Sequence, residues 1–110
     1  MMVKKIQHPG LFLHDLYVNR LGVSSAVIAA KLDLPKSTLD SLFSGRKRIT
    51  MDLALRMARC FKTDVYYFVS LQQKYDMDIA LRSVDLTRVR SIFNHGDNRP
   101  KRTKKPPSVN

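Results

Sequence analysis

Between Ser24 and Thr50 the sequence SSAVIAAKLDLPKSTLDSLFSGRKRIT leaves little choice of fold. Two short runs with helical apolar spacing are separated only by Asp33, Leu34 and Pro35, which suffices for a tight turn and little else. Ser24 or Ser25 can offer a side-chain oxygen to the unpaired N–H groups that open the first run. Val27, Ile28, Ala29 and Leu32 give that run a buried stripe, and Ala29 is small enough for a second helix to cross closely. Pro35 fixes φ at the start of the second run. Leu39 and Leu42 anchor it inward, while Lys36, Ser37, Asp40, Ser41 and Ser44 fall on its other faces. Gly45 suits the left-handed residue just past a helix end. The spacing predicts helices at about 24–31 and 35–43, joined as a helix-turn-helix.

The outer side of the second helix carries short hydroxyls and one lysine. Such a surface can enter a DNA major groove, about 12 Å wide, where hydroxyls bond bases or phosphates and a lysine reaches guanine. Arg46, Lys47 and Arg48 follow where a loop would run along the phosphate backbone. An ordinary helical hairpin with a solvated polar face fits the same pattern. The formal charge of +11 favours an anionic partner, nucleic acid or an acidic membrane surface, without choosing between them. All nine acidic residues are aspartate.

The remaining chain reads as a small all-α domain. Residues 1–8 form a basic arm with Lys4 and Lys5, and Pro9 sits at a helix start. Leu11, Phe12, Leu13, Leu16 and Tyr17 recur at helical spacing, predicting a first helix at about 10–20 that stops near Gly22. Thr50 caps a fourth helix, with Asp52 in its first turn; Leu53, Ala54, Met57, Ala58 and Phe61 face inward, and Arg56 and Arg59 outward. Asp64 or Thr63 caps a fifth, at about 65–80. Its apolar residues spread over more than one side. Either a second copy of the chain covers part of that width, with Val65, Phe68, Val69, Gln72 and Tyr75 as contacts, or one wide face covers the core. A short strand or helical turn fits 84–93.

Residues 1–81 carry 12 basic and 7 acidic side chains, and residues 82–110 carry 8 and 2. More than half of the excess charge therefore lies on the last quarter of the chain, which is rich in Pro and basic residues. That segment, 82–110, reads as a flexible tail that scans phosphates, contacts an acidic protein or RNA, or only solubilises. Cys60 is the single cysteine, so no disulfide forms within the chain, and it packs as a small hydrophobe. His8 and His14 lack metal-ligand spacing, and Asp76 and Asp78, two apart, point different ways on a helix. No CxxC, HExxH, GxSxG or phosphate-cradling glycine loop occurs. Nothing therefore indicates an enzyme, a metal or a cofactor. No run approaches the roughly 20 apolar residues of a membrane span, and the basic start lacks the apolar core of a signal peptide. A cytoplasmic protein is the expectation.

Taken together, HPG at 8–10, the helix-turn-helix, the RKRIT that ends it and LQQKYD at 71–76 resemble the HigA family of antitoxins. These belong to the Cro/C1-type (XRE-like) helix-turn-helix group. The resemblance covers about residues 8–81. It implies a five-helix, lambda-repressor-like domain that dimerises on a palindromic operator, represses its own operon and neutralises a HigB-like ribonuclease toxin. By position it implies that Lys36, Ser37 and Ser41 read bases. It places Ser25, Thr38, Ser44, Arg46, Lys47 and Arg48 beside phosphates. Three positions depart from the family pattern. Asp33 stands where the turn commonly has Gly, Lys62 where Gly often ends the fourth helix, and Phe68 where Trp is common. Solitary regulators without a toxin share the same pattern.

Overall fold

A computed structural model describes residues 5–93. The first residues of the expected basic arm, and the expected tail from residue 94 onward, lie outside the described residues. The described residues form five helices and no strand. They are α1 (Pro9–His14, continued by a wider π-helical stretch, Asp15–Arg20), α2 (Ser25–Leu32), α3 (Lys36–Phe43), α4 (Met51–Phe61) and α5 (Val65–Ser83).

Four of the five helices open on a side-chain cap, and α3 follows Pro35 without one. His8 caps α1 with an acceptor few sequences use there: its Nδ1 takes the Gly10 N–H at 2.8 Å. Pro9 at the first helical position has no N–H to leave unpaired. Ser24, rather than Ser25, caps α2 by accepting the Ala26 N–H at 3.1 Å. Thr50 accepts the Leu53 N–H and Asp64 the Tyr66 N–H, opening α4 and α5. α5 runs to Ser83, past the expected end near 80, and the following residues make a turn closed by the Val89 N–H on the Leu86 carbonyl.

The departures at the helix exits are accommodated. Asp33 adopts φ 58°, ψ 48° and Lys62 φ 53°, ψ 48°, so both take the left-handed conformation that glycine usually supplies. Gly45 takes it too, at φ 85°, as its position predicts.

The core is drawn from every helix. Leu13 and Tyr17, Ile28, Ala29 and Leu32, Leu39, Leu42 and Phe43, Leu53, Ala54 and Met57, and Phe68 are all buried, together with Ile49 of the α3–α4 loop. α1 packs on α3 and α5, α2 on α3 and α4, and α4 on α5. Tyr17 stacks on Phe61 with ring centroids 3.8 Å apart, and Phe68 lies tilted against the same ring. Phe68 therefore keeps an aromatic at the centre of the fold. No described helix is long and apolar enough to cross a membrane. Among the described residues no group of three or more His, Cys, Asp or Glu could hold a metal ion.

Candidate nucleic-acid interface

α3 divides cleanly along its length. Leu39, Leu42 and Phe43 are buried. On the opposite side Lys36 and Ser37 are exposed, Asp40 and Ser41 half-buried, and Ser44 exposed just past the helix end. At 3.6 residues per turn these five share one outer face. Lys36 Nζ lies 3.0 Å from Asp40 Oδ2, an i,i+4 ion pair that lays the lysine along the helix instead of leaving it to swing. Thr38 sits half-buried at the edge of this face, and Ser25 is half-buried at the first residue of α2.

The loop after α3 is pinned at both ends. The Arg46 and Lys47 N–H groups donate to the Ser41 carbonyl at 2.9 and 3.2 Å, and the Ser44 hydroxyl donates to it at 3.2 Å. At the far end the Ile49 N–H donates to Oε1 of the buried Gln72 at 2.7 Å. Among the described residues Arg46 and Lys47 make no ion pair; Arg46 is exposed and Lys47 half-buried. Arg48 differs. Its guanidinium grips Asp76 of α5 through Nη2–Oδ2 at 2.7 Å and Nη1–Oδ1 at 3.4 Å. Gln72 Nε2 donates to the same carboxylate at 3.0 Å. The Arg48 and Gln72 hydrogen bonds hold the Asp76 carboxyl below the usual carboxylate range.

Two residues that position α3 escape a reading by spacing. Arg56, expected to point outward to solvent, turns back to the helix-turn-helix. Its Nη1 donates to the Leu32 and Asp33 carbonyls at 2.8 and 3.1 Å, and its Nε to Asp52 at 2.6 Å. It thereby satisfies the carbonyls left open where α2 ends in a left-handed residue. Gly10 is the second: a Cβ there would lie 1.7 Å from the Leu42 carbonyl oxygen, so only glycine lets α1 press against the last turn of α3. The only forewarning in the sequence is the glycine's place in HPG.

Of the five expected dimer contacts on α5, two require correction. Phe68 is fully buried and Gln72 nearly so, inside one protomer. Tyr75 meets the His8 ring edge-on at 5.0 Å, and Val65 and Val69 pack against the same core. Phe68 and Gln72 are thus taken up by the core of one chain, whereas Val65, Val69 and Tyr75 stay half-buried.

The helix-turn-helix family profile matches residues 16–68. Virulence-associated protein I of Dichelobacter nodosus is 32% identical over 73 residues, covering 66% of this chain and 68% of that protein. The chain belongs to the Cro/C1-type helix-turn-helix family. That family binds DNA and is not enzymatic. Solved members share the fold. An addiction module antidote protein of the HigA family from Coxiella burnetii superposes with a TM-score of 0.74 at 26% identity, over 82% of this chain and all (100%) of that one. The Pseudomonas aeruginosa antitoxin HigA, solved with the higBA promoter, superposes with a TM-score of 0.66 at 27% identity, over 71% of this chain and 85% of that one. The lambda-repressor-like, all-α fold expected from the sequence is therefore the fold of this helix-turn-helix protein.

Proposed function

We propose that this helix-turn-helix protein is a sequence-specific operator-binding repressor and the antitoxin of a HigBA-type module, acting as a cytoplasmic homodimer. The observation that carries the reading is the outer face of α3: short hydroxyls and one restrained lysine, uncovered, beside two unpaired cations. In it Lys36, Ser37 and Ser41 read base edges in the major groove. Ser25, Thr38, Ser44, Arg46 and Lys47 lie beside phosphates and fix register. Two such helices, in successive grooves about 34 Å apart, occlude the promoter. The likeness to an antitoxin solved with its promoter supports the same mode of docking.

A dimer needs a surface, and α5 offers one on the side away from the core. At 3.6 residues per turn, Tyr66, Ser70, Gln73, Met77 and Leu81 fall opposite Phe68 and Gln72, with the exposed Lys74 at their edge. Tyr66, Met77 and Leu81 are 73%, 59% and 76% exposed. An open, mostly uncharged stripe on a long helix fits burial against a second copy.

Footprinting of the region upstream of the protein's own gene tests the reading. Two protected half-sites one helical turn apart are expected, and uniform weak protection contradicts it. Co-expression with a neighbouring RelE-like ribonuclease tests the antitoxin role. Growth restored by this chain supports it, whereas a footprint without growth rescue leaves a solitary regulator.

A further inference from the structure

Three short segments, HPG, RKRIT and LQQKYD, meet on α5. RKRIT supplies Arg48 and Ile49, LQQKYD supplies Gln72, Tyr75 and Asp76, and HPG supplies His8 against Tyr75. Their shared product is a clasp: Asp76 accepts both Arg48 and the Gln72 amide, which fixes that amide so that its oxygen faces the Ile49 N–H. The clasp closes the loop whose other end hangs on the Ser41 carbonyl.

We propose that Asp76 is a positioning residue for DNA binding, and that Arg48 is its brace, not a phosphate ligand. The inference rests on the DNA-binding reading above. A carboxylate beside a phosphate backbone opposes binding by simple repulsion, so Asp76 needs a compensating role. Both terminal nitrogens of Arg48 are engaged by it. Moving Arg48 to a phosphate would strand an aspartate next to DNA and release the Gln72 amide from its orientation. With the clasp closed, Arg46 and Lys47 stand on a loop whose backbone is fixed at both ends, so the loop meets phosphates without first losing freedom.

The sign of one substitution separates this from plain electrostatics. Asp76→Asn removes a negative charge from a DNA-binding protein, so charge alone predicts tighter binding. The clasp predicts weaker binding, about three- to fivefold, the range of a well-formed surface ion pair. The test uses fluorescence anisotropy of the full chain over a salt series, on a duplex from upstream of its own gene and on a shuffled duplex. Arg46→Gln and Lys47→Gln should each flatten the log–log salt slope by about 0.9. Arg48→Gln should weaken binding as Asp76→Asn does and leave the slope unchanged. Unaltered or tighter binding by Asp76→Asn, or a slope change in Arg48→Gln equal to that of Arg46→Gln, overturns the proposal. If the wild-type chain shows no salt-dependent binding to either duplex, the DNA-binding reading itself fails. Thermal unfolding of each variant shows whether the fold persists, and Arg48→Gln, at an exposed side chain, decides the case even if Asp76→Asn loosens α5.

Discussion

At the scale of single residues, two positions before and within α1 carry more than their size suggests. Gly10 has no room for a Cβ, because the obstacle is the backbone carbonyl of Leu42 and cannot swing aside. Gly10→Ala should lower stability by about 3 kcal/mol, at the upper end of the usual cost of overpacking; urea titration measures it, and a loss below about 1 kcal/mol contradicts the close approach. His8 works only unprotonated at Nδ1, since that atom accepts the Gly10 N–H. Burial lowers its pKa from the ordinary imidazole value. The unfolded chain then binds the extra proton first, so this contribution is whole above about pH 6.5 and is lost as pH falls through the folded value. Tm should therefore drop between pH 7 and pH 5, and His8→Asn, which keeps a capping oxygen that does not titrate, should shrink that drop. An equal drop in both proteins counts against the cap. Neither role is legible from residue type: histidine is a rare helix cap, and the glycine's neighbour is 32 positions away in sequence.

At the scale of elements, caps and stripes were readable wherever the cause is local. Ser24, Thr50 and Asp64 act within three residues of themselves, and the buried stripes of α2, α3 and α4 follow from spacing, except that Val27, expected in the α2 stripe, lies well round the helix from Ile28, Ala29 and Leu32 and is 48% exposed. For α5 the sequence supports either a seam with a second copy or one wide face over the core. Both of its sides are apolar, so spacing alone could not say which one faces inward. Phe68 and Gln72 went to the core, and the stripe through Met77 and Leu81 stayed outside. The π-helical stretch, Asp15–Arg20, left no mark in the periodicity either. If the outer stripe joins two copies, Met77→Asp with Leu81→Asp should convert a dimer to a monomer in sedimentation equilibrium, with helical content unchanged. A wild-type dimer that survives both substitutions moves the interface elsewhere, and a wild-type monomer removes the homodimer from the account.

For the whole molecule, the design is a helix, α3, held from three sides. α1 presses on its last turn at Gly10, Arg56 of α4 closes the turn before it, and α5 clasps the loop after it. The helix-turn-helix and its outer hydroxyls were plain in the sequence because they are contiguous. The supports were not, because Arg56 reaches back 23 and 24 residues and Arg48 forward 28, distances at which spacing carries no information. The most direct test of the central claim, that the outer face of α3 reads sequence, is the ratio of affinities for the promoter and shuffled duplexes at fixed salt. It compares the wild-type chain with one carrying Lys36→Ala, Ser37→Ala and Ser41→Ala. The account predicts a preference of at least about a hundredfold in the wild type, falling to near one in the triple variant, with much of the binding to shuffled DNA retained. A triple variant that keeps the wild-type preference would contradict it.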